Sequence, residues 1–362
     1  SQQTTPASKP KSGFKQTCAY ASPMTTLRKG ISTMSNHKIT LKEEDLRAAP
    51  LFLSIVVPVF NEATGIDAFH SRLQQTLSQM NGIASEILYI DDGSTDTTPR
   101  KLEEILDQDA NVSIARLSRN FGKESALSAG LDLAKGQAVI VIDADLQDPP
   151  ELIPAMVHAW RQGADVVNMR RKTREGESPL KKFTSHLFYR VMNRLSDVSI
   201  MQDVGDFRLL SRRAVDALTA MPERCRFMKG LYAWIGFHQV ILDYHREPRH
   251  SGTTKWQYWG LWNYALDGIT SFSTGPLKVA MYLGLISALT AFFSGAYFLL
   301  KALILGDSVP GFPTLITAIL FLGGLQLVAI GIVGEYVGRL YHEVKERPKY
   351  ILDDVRHEKG AS

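Results

Sequence analysis

Two long apolar stretches constrain this chain more than any other feature. Between Lys278 and Lys301, and again between Pro313 and Glu335, runs of mostly apolar residues continue with almost no charge. As a helix, each is long enough to cross a hydrocarbon core of roughly 30 Å. A pair of helices buried in a soluble core is the alternative, but too few polar residues interrupt either run. The connection "GDSVPGFP" is short and lacks Lys and Arg, whereas Arg339, Lys345, Arg347 and Lys349 follow the second run. The positive-inside rule then predicts a multi-pass inner (plasma) membrane protein with both outer ends, and the domain before them, in the cytoplasm. Glu335 stands one helical turn before Arg339, the spacing of an ion pair.

Composition narrows the rest. The 362 residues are 44% hydrophobic and 22% charged, with a net charge of +4, too mild an excess to indicate nucleic acid. The two cysteines, Cys18 and Cys225, form no CxxC and have no metal-ligand spacing. Residues 1–49 are rich in Ser, Thr, Lys and Gln, without apolar periodicity or a signal-peptide core, and read as a disordered extension. From "LFLSIVVPVF" (51–60) to "AVIVIDAD" (138–145), apolar runs alternate with amphipathic segments. That alternation predicts an α/β domain over 50–245 with a right-handed parallel sheet. Residues 246–275 connect it to the apolar pair at 276–338, and 339–362 read as a cytoplasmic tail. "KWQYWGLWNYALDGITSF" (255–272) carries five Trp and Tyr rings among few charges and reads as an amphipathic interfacial helix, with 180–196 as a second.

Ligands of open α/β sheets sit beyond the carboxyl ends of the strands. Here three such ends are polar or acidic: Asn61-Glu62, Asp91-Asp92 and Asp143-x-Asp145. Paired carboxylates resist joint ionisation unless a cation lies between them, and oxygen donors select Mg2+ or Mn2+. Gln147 adds an amide oxygen. The competing explanation of Asp145 or Asp148 is a helix cap before "PPELIPAM". Glu62 and Asp92 suit ribose hydroxyls or a base N–H rather than phosphate. Neither GxxxxGK[ST] nor GxGxxG occurs at these turns. His238, His245 and His250 lack metal-ligand spacing and read as surface or packing residues.

"PVFNE", "DDGSTD", "DADLQDPPE", "DVGDFRLLSRR" and "GEYVGRLYHEVKERPKY", in this order over about residues 50–352, resemble the polyisoprenyl-phosphate branch of glycosyltransferase family 2. That branch includes dolichyl-phosphate mannose synthase and the bacterial undecaprenyl-phosphate glucosyltransferases and aminoarabinose transferases. The resemblance implies a GT-A (Rossmann-like) fold and inverting transfer of a sugar from a nucleoside-diphosphate donor to the phosphate of a membrane polyprenyl lipid. UDP-glucose is the expected donor; UDP-linked N-acetylglucosamine, galactose or formamido-arabinose are the alternatives. A homo-oligomer, a tetramer in many relatives, is also implied.

Carried over by motif, Pro58, Glu62, Asp92, Lys123 and Asp143 are expected at the nucleotide. Asp143, Asp145 and Gln147 are expected at Mg2+ or Mn2+, with Asp145 and Asp206 catalytic. Arg171, Arg174, Arg208, Arg246, Arg249 and Lys255 are expected at the diphosphate or acceptor phosphate, where Arg forks grip oxygens in pairs. Two departures stand out: Trp256 replaces the usual Tyr after Lys255, and Met169 stands where a Gly is usual two residues before Arg171. A processive polysaccharide synthase would carry Gln-x-x-Arg-Trp, which does not occur. A non-catalytic membrane scaffold would have no need of Asp143 and Asp145.

Overall fold

The computed structural model describes residues 50–172, 201, 204–245, 270–271, 273–305 and 311–357. The extension at 1–49, the interfacial segment at 180–196 and nearly all of that at 255–272, His250, and the expected phosphate ligands Arg174, Arg246, Arg249 and Lys255 lie outside the described residues.

Strands β1 (Leu51–Val59), β2 (Ile83–Asp91), β3 (Val112–Leu117) and β4 (Ala138–Val141) form the parallel part of the sheet. Strands β5 (Val166–Arg171), β6 (Val204–Ser211), β7 (Gln239–Tyr244) and β8 (Leu352–His357) complete it in the order β7-β5-β6-β4-β1-β2-β3-β8. Period-2 alternation divides each strand between two cores. Ile55, Val57 and Tyr89 pack on one face, with Phe69 and Leu73 of α1 (Ile66–Ser78), Leu102 of α2 (Thr98–Leu106) and Trp160 of α4 (Ile153–Arg161). Val56 and Ile90 pack on the other, with Leu127 and Leu131 of α3 (Lys123–Leu133) and Val215 and Leu218 of α5 (Arg212–Thr219). Burial on both faces explains why these strands are continuous apolar runs. In α1 the buried residues Ile66, Phe69, His70, Leu73 and Thr76 recur at helical spacing, one stripe against the sheet.

Two expectations need correction. The sheet is mixed, because β6 runs antiparallel to both neighbours, β4 and β5. An apolar strand covered on both faces has the same pattern in either direction, so composition could not reveal this. The C-terminal segment is also more than a tail. Helix α8 (Phe312–Val344) runs on past residue 339, and β8 pairs antiparallel with β3 at the sheet edge. Glu343 accepts the backbone N–H groups of Arg224 (2.9 Å) and Cys225 (2.9 Å), and the Tyr350 hydroxyl meets Asp132 at 2.9 Å. These contacts tie the end of the helical hairpin to the α/β domain.

The hairpin consists of α7 (Gly275–Leu305) and α8, following a short α6 (Met228–Trp234). Both helices are long and apolar enough to cross a membrane: Gly275–Tyr297 and Ala318–Val344 have mean hydropathies of 1.7 and 1.9, with neither stretch buried. Large apolar side chains such as Phe292 and Leu327 face outward. Glu335 reaches Arg339 at 3.4 Å.

Tight backbone packing yields a stability prediction. A Cβ on Gly136 would lie 2.6 Å from the Ser54 nitrogen and 2.8 Å from the Phe52 oxygen, both backbone atoms that cannot step aside. Gly136→Ala is expected to cost about 1–3 kcal/mol, read as an earlier thermal transition in detergent. Gly284→Ala, in open space on α7, is expected to cause no loss; equal melting of the two variants would refute the packing account.

Candidate active site

The carboxyl ends of β1, β2 and β4 lie side by side, as their register requires: Val59 pairs with Asp91 and Val56 with Val141. Pro58 is the last residue but one of β1. Beyond it, Asn61 adopts a left-handed conformation (φ 54°), which a short polar side chain tolerates. Its Oδ1 accepts from the Thr95 N–H (2.8 Å), and its own N–H donates to Ser94 Oγ (3.0 Å). The Glu62 N–H donates to Thr98 Oγ1 (3.0 Å), so "NE" and "DDGSTD" form one stitched rim.

Asp92 is buried, and its carboxylate is engaged within the protein. Its two oxygens accept the N–H groups of Phe121 (2.7 Å) and Gly122 (2.9 Å), the entry to α3. Burial raises its pKa and the two amides partly oppose the shift. Gly93 must be glycine there: its φ is +68°, and a Cβ would sit 2.5 Å from the Arg119 carbonyl carbon. Asp92 thereby places the first residue of α3, Lys123.

Lys123 is the centre of the site. Its ammonium lies 2.7 Å from an Asp143 carboxylate oxygen and 2.6 Å from Asp206 Oδ2. Asp143 follows β4 and Asp206 lies in β6, so the antiparallel β4–β6 pair brings together carboxylates 63 residues apart in sequence. Burial disfavours the charged forms, yet Asp143 and Asp206 raise the Lys123 pKa. Lys123, then Lys229 and Arg208, hold the Asp206 carboxyl well below the usual range against its burial. The Lys123 side chain keeps 42% of its surface exposed, so solvent screens part of this attraction.

Asp145 sits two residues past Asp143 in a turn where Leu146 takes φ 59°, and its Oδ1 accepts the Gln147 N–H at 3.1 Å. Among the described residues no group of three or more His, Cys, Asp or Glu is placed to hold a metal. Two carboxylates completed by diphosphate oxygens nevertheless form the hard-oxygen donor set that Mg2+ takes, and Asp143 and Asp145 fit that set. The neighbouring Asp148 is fully buried and accepts a short hydrogen bond from the Tyr244 hydroxyl.

The arginines divide. Arg171 packs over Gly205, where a Cβ would lie 3.1 Å from its Nη2, beside the site. Arg208 is 2% exposed; it donates to the Gly205 carbonyl (2.6 Å) and lies 3.7 Å over the Tyr232 ring. It supports Asp206 from below rather than offering an open phosphate fork. His238 Nδ1 lies 3.2 Å from the Gly163 carbonyl at the edge of the fold, away from these groups, and His245 follows β7.

Sequence reasoning missed two groups, Lys229 and Glu124. Lys229 lies on α6 close to Asp206; burial lowers its pKa, and Asp206 opposes that shift. Glu124 accepts the Met228 N–H at 3.3 Å, and burial followed by the Asp206 charge pushes its carboxyl up to about 7. Glu124 could have been suspected as the neighbour of Lys123, but no spacing rule pointed to Lys229.

Comparison with known proteins follows the same division of the chain. The model of glycosyl transferase family 2 matches residues 54–219, and that of the GtrB C-terminal hairpin matches 275–340. An uncharacterized glycosyltransferase of Synechocystis sp. is 50% identical over 303 residues, 84% of this chain and 95% of the relative. A prophage bactoprenol glucosyl transferase homolog of Escherichia coli K12 is 46% identical, over 84% of this chain and 99% of the relative. The bactoprenol glucosyl transferase of Shigella phage SfV is 45% identical over the same shares.

The Glu124 shift has a definite sign. A carboxyl that ionises at about 7 when folded but near 4.5 when unfolded binds more protons in the native state. Stability is therefore lost as pH rises from about 4.5 to 7, by up to roughly 3 kcal/mol. Glu124→Gln is expected to melt higher than the wild type at pH 8 and to lose that advantage at pH 4.5. An advantage independent of pH would refute the assignment.

Proposed function

The chain belongs to glycosyl transferase family 2, in its polyisoprenyl-phosphate branch, and on that premise we propose that it transfers glucose from UDP-glucose to the phosphate of a membrane polyprenyl phosphate. The observation that carries the reading is Lys123 held between Asp143 and Asp206, with Lys229 and Arg208 beside Asp206. Such a cleft concentrates cations where two anions must meet.

In the reaction an acceptor phosphate oxygen attacks the anomeric carbon from the face opposite the leaving group. The new C–O bond forms as the bond to the diphosphate breaks, and that electron pair leaves with UDP. A phosphate monoester carries close to two negative charges at pH 7, so the attacking oxygen needs no general base. Asp206 matches that requirement: its neighbours keep it ionised, suited to holding Lys123 and Lys229 in place and accepting sugar hydroxyls, not to shuttling a proton. Lys123 and Lys229 screen the incoming phosphate and the charge that develops on the diphosphate. Mg2+ or Mn2+ held by Asp143 and Asp145, with Gln147 alongside, would supply Lewis-acid stabilisation of the leaving diphosphate.

Pro58 and Glu62 line the nucleotide side, while Asp92 serves it indirectly by placing α3. By motif, Arg171, Arg174, Arg246, Arg249 and Lys255 are assigned to the diphosphate and the acceptor phosphate. The helical hairpin spans the inner membrane with the catalytic domain on the cytoplasmic side, in keeping with Arg339, Lys345, Arg347 and Lys349 at its domain end. The assembled form is a homo-oligomer.

The test is a panel of UDP-sugars with purified protein, undecaprenyl phosphate and Mg2+ or Mn2+. UDP release is expected with UDP-glucose, only when the lipid is present, and is lost with EDTA. Transfer from a different sugar alone would overturn the donor, and turnover unaffected by EDTA would overturn the metal. Lys123→Met is expected to lower kcat/KM by about 10²–10³, with Lys123→Arg retaining part of it. Full activity in Lys123→Met would refute the central role of this ammonium.

A further inference from the structure

A second basic site lies on the other side of the first turn of α3. A cavity of about 240 Å³ opens where the catalytic domain meets the domain end of the helical hairpin. Arg224 and Arg226 reach it from the loop after α5, Glu124 from α3, Ser271 from just before α7, Arg339 from α8, and Lys349 from the segment before β8. Lys123 points away from it, toward Asp143 and Asp206.

The lining has four cationic side chains and one carboxyl, Glu124, which is itself pushed up to about 7. Nearby acids balance part of that charge: Glu335 pairs with Arg339, Glu343 accepts the Arg224 and Cys225 amides, and Asp132, which accepts from Tyr350, also acts on Arg226 and Lys349. Glu223 adjoins Arg226. Burial lowers the pKa of both Arg226 and Lys349, and for Lys349 the Arg226 charge adds to the shift. Arg226 Nη2 donates to the carbonyls of Leu218 (3.0 Å) and Met221 (2.9 Å), and Lys349 Nζ donates to Met221 (3.0 Å). Arg226 Nη1 is buried without a hydrogen-bond partner among the described residues. A buried guanidinium N–H in that state calls for an acceptor, and the four cationic side chains in the lining favour an anionic one.

Position identifies the source of that anion. The Tyr336 hydroxyl donates to the Ser273 carbonyl at 2.5 Å, so the start of α7 and the end of α8 meet beside the cavity. If the hairpin spans a membrane, this is the depth at which lipid headgroups lie. The volume is below that of pockets for drug-sized ligands, which suits a phosphate headgroup and not a nucleotide sugar. We propose that this cavity, lined by Arg224, Arg226, Arg339 and Lys349, binds the phosphate of a membrane lipid at a site separate from the sugar-transfer centre. The proposal rests on the membrane-spanning reading of the hairpin.

Lys349 is the reporter. In phosphate-free nonionic detergent, the full chain is treated with an amine-acylating reagent, and Lys349 modification is followed by peptide mass spectrometry, with exposed Lys135 as the control. Phosphatidylglycerol, undecaprenyl phosphate, diacylglycerol and inorganic phosphate are added separately. At tenfold excess over its Kd, a lipid phosphate is expected to slow Lys349 acylation about tenfold, leaving Lys135 unchanged, and Arg226→Gln is expected to lose that protection. Protection by both lipids supports a general headgroup site; protection by undecaprenyl phosphate alone supports a waiting station for the acceptor. Equal protection by diacylglycerol, equal protection by inorganic phosphate, or none in the wild type overturns the assignment. Glucosyl transfer and vesicle flotation in the same preparation separate the readings. Transfer and flotation without protection refute the cavity alone, and protection without transfer refutes the transfer reading alone.

Discussion

The ammonium of Lys123 between Asp143 and Asp206 is the contact on which the rest of the site depends. Without it, the Asp143 and Asp206 carboxylates would repel one another with no cation between them. With it, Asp206 stays ionised despite burial. The contact is built from a distance: Asp92 grips the amides of Phe121 and Gly122, Gly93 lets that loop approach closely, and α3 settles on β1 through Gly130. A Cβ on Gly130 would lie 2.2 Å from Val56 Cγ1, so the seat of the helix admits little variation. The Lys123 charge is thus positioned by backbone packing, which side-chain motion cannot easily loosen.

Charge balance explains the surroundings. Transfer between a nucleoside diphosphate and a lipid phosphate brings several negative charges together, and a cleft lined by acids alone would repel both substrates. Lys123, Lys229 and Arg208 offset Asp206 from three sides. The stacking of Arg208 on Tyr232 keeps one of these charges in place under a carboxylate without exposing it to solvent. Glu124, whose carboxyl is pushed up to about 7, carries only part of a negative charge at neutral pH.

The C-terminal segment joins the two halves of the molecule. Glu343 caps the loop that carries Arg224 and Cys225, and β8 closes the β3 edge, which would otherwise present unpaired backbone groups. Arg224 and Cys225, whose amides Glu343 holds, line the basic cavity. An enzyme acting on a lipid phosphate must hold its cleft in a defined relation to the bilayer, and a strand woven into the sheet does this more firmly than a flexible tether.

The two apolar runs, the alternation of strands and helices, and the acidic strand ends were all legible in sequence, because each is a local pattern imposed by burial or by chemistry. Asp143 and Asp145 could be named for the same reason, whereas Asp206 was named only through the resemblance of its motif. Strand direction could not be read, since a strand buried on both faces reads alike in either direction, and it was the antiparallel β6 that carried Asp206 to Asp143. The partners of Asp92 were equally hidden: a carboxylate that accepts two backbone amides leaves no trace in residue spacing. The return of residues 352–357 to the sheet and the approach of Lys229 to Asp206 join segments distant in the chain. By itself the sequence determined which chemical groups and which apolar lengths were present. Only the tertiary structure decided which charges face one another, because electrostatic pairing depends on distances of a few ångströms across elements that sequence spacing does not relate.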